Sequence, residues 1–204
     1  GALMLAEKGA EVVKIDVGST FVSETSEEPA FLDRGKTVWK LRSNTNLLKD
    51  AGELLAHCDV LVTDTKMIDE YGIAILNACS HDSIKLIVEG TGKDKSNFSD
   101  DLIHANTGIF TNVSFTDSIL GLPPRFTNLP LASTYTAVHT AIAAVSALYA
   151  RNKSGRGDTI RINSVTSMLA AMGNVGFTID NQPWKYDIPP VPAAIKPIVK
   201  VIRQ

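Results

Sequence analysis

Apolar positions in this chain fall into two textures that alternate along its length. Short, nearly continuous apolar runs occur at residues 11–16 (Val12, Val13, Ile15), 59–63 (Val60, Leu61, Val62), 84–88 (Ile84, Leu86, Ile87, Val88) and 159–162. Runs of this length bounded by polar residues predict strands, and those apolar on both faces predict strands covered on both sides. Residues 36–41 predict a further strand, with Val38 and Trp39 supplying β preference. Between them lie stretches with helical spacing. Ala2 to Ala6 reads as a helix closed by Gly9, and Asn44 is placed to cap a helix running to His57. Short helices are predicted from Asp64 to Gly72 and over residues 73–79. The most regular helix spans residues 134–152, where Ala137, Ala141, Ala144, Val145 and Leu148 recur. A turn at Ser154-Gly155-Arg156-Gly157 precedes the last strand, and residues 165–172 predict a final helix. Residues 102–115 fit neither period. Strands alternating with helices predict an α/β class with a mostly parallel sheet and right-handed crossovers.

In this order a helix comes before the first strand, so the pattern reads as the middle of a βαβ unit and as a shortened form of something longer. Residues 1–180 are expected to form one domain. Residues 181–204, broken by Pro183, Pro189, Pro190, Pro192 and Pro197, form a tail that cannot be regular helix. The apolar part of that tail is expected to wrap a second subunit.

The chain has 204 residues, 44% hydrophobic and 21% charged, with a net charge of -2. That composition excludes bulk disorder, and the lack of a basic excess argues against nucleic acid as a partner. No continuous apolar run approaches the roughly 20 residues that cross a bilayer, and no basic-then-apolar leader is visible, so a cytoplasmic protein without a membrane partner is expected. Cys58 and Cys79 are too few for a disulfide scaffold and are expected to be small buried residues in a reducing compartment.

Individual motifs carry little chemistry. Gly90-Thr91-Gly92 follows a strand but lacks the third glycine of a dinucleotide fingerprint. His57 reads as a helix cap, His139 as a structural residue, and Asp100-Asp101 as solvated loop carboxylates. His104 lies beyond the third buried strand, where a side chain could reach a crevice at the strand's carboxyl end.

Three ordered segments add more. Leu5-Ala6-Glu7-Lys8-Gly9-Ala10-Glu11-Val12-Val13-Lys14-Ile15 is similar to "LADLGAEVIKVE". Phe31-Leu32-Asp33-Arg34-Gly35-Lys36, followed by Cys58-Asp59-Val60-Leu61-Val62, is similar to "NRGKRS" and "ADVLVEN". Residues 147–158, from Ala147-Leu148-Tyr149 to Gly157-Asp158, are similar to "ALYAREKTGRGQ". Together they resemble the family III CoA-transferases, which include formyl-CoA transferase, carnitine CoA-transferase and α-methylacyl-CoA racemase.

The resemblance implies a Rossmann-like three-layer CoA-binding domain, acyl-CoA and a carboxylic acid as substrates, and an interlocked homodimer of longer chains. It also implies a nucleophilic aspartate just before the long helix. Ser133 stands at that place, and no acid lies between Asp117 and Asp158. Serine cannot form the acyl anhydride of the family's route. The CoA-contacting "ENFRPG" loop is Thr63-Asp64-Thr65-Lys66-Met67-Ile68 here, and the "SGFGQ" loop is Glu89-Gly90-Thr91-Gly92-Lys93. The resemblance therefore points to Lys66, Gly92, Lys93, Arg34 and Lys36 as contacts for CoA, bound weakly. His104 falls near the racemases' histidine, with Ala105 in place of the neighbouring acid. Three readings follow: an acyl-CoA-handling protein, with transfer lost at Ser133 or supplied by the other half of a two-part enzyme; a non-catalytic CoA-binding or dimerisation module; or a racemase-like enzyme using His104.

Overall fold

The structure, a computed structural model, describes residues 1–17, 31–41, 47–91, 95, 98–109 and 129–173. The five strands are β1 (Val13–Asp16), β2 (Thr37–Lys40), β3 (Val60–Asp64), β4 (Ile84–Glu89) and β5 (Thr159–Asn163). The helices are α1 (Ala2–Ala6), α2 (Leu47–His57), α3 (Thr65–Tyr71), α4 (Ala74–Asn77), α5 (Asp100–Thr107), α6 (Leu131–Ser154) and α7 (Ser164–Met172). The expected cap Asn44 and the Pro-rich tail lie outside the described residues.

All pairing between these strands is parallel, as the alternation of strands and helices requires. β3, β4 and β5 form one sheet with β4 in the centre, Val60 opposite Ile84 and Lys85 opposite Thr159. β1 and β2 form a separate parallel ladder, Val13 opposite Thr37. The carboxyl ends of β3 and β4 therefore share an edge as expected, whereas the end of β1 belongs to the other ladder.

Successive residues of β3 point to opposite faces. Leu61 packs into a cluster built on Leu47, Ala51 and Leu55 of α2, with Ile75 and Cys79. Val60 packs into a second cluster, with Ile84 and Leu86 of β4, Ile162 of β5, and Ala144 and Ala147 of α6. Helices thus cover both faces and the domain has three layers. Ile15 and Leu41 join the α2 cluster, so one apolar layer serves both ladders. A third cluster joins Ile103 of α5, Ala132 of α6, and Met168 and Met172 of α7.

Helix ends follow the local chemistry. The Asp64 carboxylate caps α3 by accepting from the Met67 N–H at 2.8 Å, and Asn163 does the same for α7 from Thr166. Gly108 and Gly155 close α5 and α6 in the left-handed conformation. The buried stripe of α6 is small: Ala132, Thr136, Thr140, Ala144 and Ala147. The hydroxyls of Thr136 and Thr140 donate back to the carbonyls of Ala132 and Thr136, each at 2.7 Å, so no hydroxyl is stranded there.

α6 corrects one expectation. By length and composition it is long and apolar enough to cross a membrane. Its apolar character is spread over alanines interleaved with Ser and Thr, so no continuous run marks it. In this fold Ala144 and Ala147 of its stripe pack against Ile84, Leu86 and Ile162 of β4 and β5, while 28% of its apolar stretch is buried.

Gly157 marks a close approach of two chain segments. A Cβ there would lie 2.3 Å from the Ser83 carbonyl oxygen and 2.6 Å from the Asp82 carbonyl carbon. Both are backbone atoms and cannot swing aside. Gly157→Ala is expected to cost about 1–3 kcal/mol, the range for overpacking. Urea unfolding checks this; a midpoint equal to that of the wild type would show that the entry to β5 gives way freely.

Candidate active site

Pro130 precedes α6 and supplies no side-chain cap. The first N–H groups of a helix have no partner within it, and here α5 supplies them. The Asp100 Oδ1 accepts from the Ser133 N–H at 2.9 Å, and its Oδ2 accepts a short hydrogen bond from the Ser133 hydroxyl. One turn further along α5, the His104 Nε2 accepts from the Ala132 N–H at 3.3 Å. Ser133, Asp100 and His104 thus meet where the positive end of the α6 dipole favours a carboxylate.

This geometry revises three expectations. Residues 102–115 were without assignment; α5 occupies the first part, starting at Asp100. Asp100 is not a loop carboxylate but the first residue of that helix and the partner of Ser133. α6 starts at Leu131, so Ser133 sits inside its first turn. The signals for α5 were present: Ser99 ahead of two acids, and Gly108 after the last turn.

Ser133 is exposed, whereas His104 is fully buried. Its Nε2 faces the Ala132 N–H, and its other ring nitrogen, Nδ1, is also buried. That atom has no partner among the described residues. His104 Nε2 also lies 3.8 Å from the Asp100 Oδ1. The ring holds the helix end and does not face a crevice, contrary to the expectation for it.

Beside this cluster is a cavity of about 230 Å³. Val62 of β3, Val88 of β4, Ile103 of α5, and Ser133, Thr136 and Thr140 of α6 line it. It lies toward the carboxyl ends of the parallel strands, where open α/β sheets bind ligands.

The expected cations do not line that cavity. Arg34 pairs with Glu7 (Nε to Oε1, 2.9 Å) and covers the Phe31 ring at 4.1 Å. Lys36 lies 3.5 Å from Asp33, which also takes Lys14 at 2.7 Å. Burial raises the Asp33 pKa, but the hydrogen bond and charge of Lys14, with Lys36, override it and hold the carboxyl below its ordinary value. Both predicted cations of the 31–36 turn are therefore engaged within the chain. Lys66 is exposed in the first turn of α3 and also has an interaction of its own. Gly92 and Lys93 lie outside the described residues.

Glu89 opens the "SGFGQ"-like segment. It ends β4 almost fully buried, with Lys95 Nζ on Oε2 and Arg161 Nη1 on Oε1, each at 2.8 Å. The Ser164 hydroxyl donates to its carbonyl at 2.8 Å, tying the start of α7 to β4. Arg161 is 72 residues away along the chain, so no local pattern announces the pair. Among the described residues no group of three metal-ligating side chains occurs.

The chain is similar to the CoA-transferase/lyase DddD of Marinomonas sp. (strain MWYL1), at 27% identity over 197 residues, covering 91% of this chain and 23% of that protein. Its fold is similar to a CAIB/BAIF family protein from Brucella suis, with a TM-score of 0.69 and 21% identity, covering 85% of this chain and 50% of that one. It is likewise similar to Rv3272 from Mycobacterium tuberculosis, with a TM-score of 0.66 and 18% identity over 85% of this chain and 51% of the other. The chain thus spans about a quarter of the curated relative and half of each solved structure. The family model for CoA-transferase family III matches residues 1–182, and on that match the chain belongs to CoA-transferase family III.

Proposed function

We propose that this chain is the acyl-CoA-handling portion of a family III CoA-transferase in which Ser133 stands in the place of the nucleophilic aspartate, and that by itself it does not transfer CoA. The observation that carries the reading is the pairing of Ser133 with Asp100 at the start of α6. The transferases' route needs a carboxylate that becomes an acyl anhydride, and a hydroxyl cannot. A serine ester route needs a base matched to the task. Asp100, not an imidazole, meets the Ser133 hydroxyl, and His104 is buried with its Nε2 already accepting from Ala132. The same burial weighs against a racemase-like role for His104.

The cavity beside Ser133 is below the roughly 300–1,000 Å³ of drug-sized ligand sites. It suits a short acyl group rather than a whole CoA. With Arg34 and Lys36 engaged internally, CoA binding is proposed to be weak. The proposal includes a second copy of the chain, which would cover the exposed stripe Ile142, Val145 and Tyr149 on α6.

One observation favours a second reading. Asp100 places a carboxylate in contact with Ser133 and could take the nucleophile's part. CoA exchange between an acyl-CoA and a free carboxylate separates the two. No turnover is expected from the wild type. Ser133→Asp alone would set two carboxylates side by side, so the informative variant is Ser133→Asp with Asp100→Asn, which should gain exchange if the CoA contacts suffice. Wild-type turnover that Asp100→Asn abolishes would move the nucleophile to Asp100. Wild-type turnover indifferent to both residues would sink the proposal, as would submicromolar CoA binding by calorimetry for its weak-binding part.

A further inference from the structure

Cys58 and Cys79, remote in sequence, meet with their sulfurs 4.0 Å apart. Cys58 follows α2 and directly precedes β3, and Cys79 follows α4 shortly before β4. β3 and β4 are paired with Val60 opposite Ile84, so the two thiols sit together at the amino ends of neighbouring strands. That is the end of the sheet away from the Ser133 cavity. Neither cysteine lies within a helix or strand, which leaves backbone and χ1 freedom to close the gap to the roughly 2.05 Å of an S–S bond. The two thiols differ in access. Cys58 is half-buried with its thiol toward the Leu55 carbonyl at 3.2 Å, whereas Cys79 is buried among Ile75 and its neighbours.

We propose that Cys58 and Cys79 form a reversible oxidation site, with Cys58 as the thiol that attacks a peroxide and Cys79 as the resolving thiol. The Cys58 thiolate attacks the O–O bond of the peroxide and becomes a sulfenic acid, and the displaced oxygen leaves as water after taking a proton. The Cys79 sulfur then attacks the sulfenic sulfur. The S–S bond forms, the S–O bond breaks, and a second water leaves. Two thiols have lost two electrons to one peroxide, and a dithiol reductant restores them. The assignment of roles agrees with the acidity of the pair. The Cys79 thiol facing Cys58 lowers the Cys58 pKa to about 7 against the opposing effect of burial. Contact with Cys58, and then burial, push the Cys79 thiol up. A thiolate near neutral pH is the reactive form.

The site is independent of the transfer chemistry proposed for Ser133, and its test does not use activity. The full chain is treated with hydrogen peroxide, and separately with oxidised glutathione, and followed by intact mass and non-reducing peptide mapping. Loss of two hydrogens is expected, with the two cysteine peptides joined and released again by dithiothreitol. Closure should be about tenfold or more faster in the folded chain than in urea, because folding holds the thiols at high effective concentration. Cys79→Ser should stop at a Cys58 sulfenic acid trapped by a dione probe, and Cys58→Ser should give no sulfenic acid at Cys79. Should either variant fail to fold, alkylation of the wild type still tests the assignment of roles, with Cys58 expected to react first. Two thiols left free by excess peroxide, a bond joining two chains as the main product, or equal closure rates folded and in urea would each overturn the proposal.

Discussion

Replacing both cations that face Glu89, with Lys95→Met and Arg161→Met together, is expected to destabilise the fold by about 3–5 kcal/mol at neutral pH, the cost of a buried charge left without its partners. Glu89 is 3% exposed, while Lys95 and Arg161 are half exposed or more. The asymmetry sets the sign. Losing Glu89 would free two cations that water already reaches, whereas losing the cations strands a carboxylate that water does not reach. Glu89→Gln added to the double variant should therefore recover most of the loss.

The pH dependence gives a second readout. The hydrogen bond from Lys95, with that from Arg161, holds the Glu89 pKa below its ordinary value against the effect of burial. A carboxyl whose folded pKa is depressed contributes stability above its unfolded value and loses it as pH falls through the folded value. In the double variant burial acts unopposed and raises the pKa, so acid should now stabilise. The difference between wild type and variant should shrink as pH falls. Urea unfolding across the acid range measures both, and a double variant within about 1 kcal/mol of the wild type at neutral pH would refute the account.

Leu86→Ala is the second large effect, expected at about 2–5 kcal/mol. Leu86 is wholly buried in the central strand and packs with Ile84, Ile162, Ala144 and Ala147. It is flanked by β3 and β5 and covered by α6, so little can move into the space a leucine leaves. Ile73→Ala, just before α4 at 66% exposure, should change stability by no more than about 0.5 kcal/mol. Thermal unfolding of the two variants should separate them clearly. Equal midpoints would mean that the layer between β4 and α6 is not the centre of the core.

What could be read in advance divides along a physical line. β4 was legible because a strand covered on both faces must be apolar on both, and Leu86-Ile87-Val88 satisfies that locally, whereas β3 is less covered than its apolar run predicts, with Val62 39% exposed. α3 was legible because Asp64 and Gly72 mark its two ends within eight residues of one another. The start of α6 was misplaced because its cap comes from Asp100, 33 residues upstream. No rule of spacing reveals a cap lent by another helix. The candidate site suffered in the same way. The resemblance singled out Ser133 and His104, but their relation to Asp100, and the burial of His104, are tertiary facts. Cys58 and Cys79 looked isolated because 21 residues separate them, and parallel pairing brings the ends of such βαβ segments together. The Arg34 and Lys36 cations were legible as charges, while their commitment to Glu7 and Asp33 was not.

The strand order has a consequence for synthesis. β4 can pair with β3 once both have emerged from the ribosome, but its other edge waits for residues 159–163. Through that interval β4 carries a row of backbone donors and acceptors that among the described residues only β5 takes up. An open apolar edge is a template for pairing with another chain. α6 is made in this window and can cover a face of β4, but a helix cannot satisfy an edge. Aggregation through the open edge of β4 is therefore expected between these two points, and pairing with β5 closes that edge.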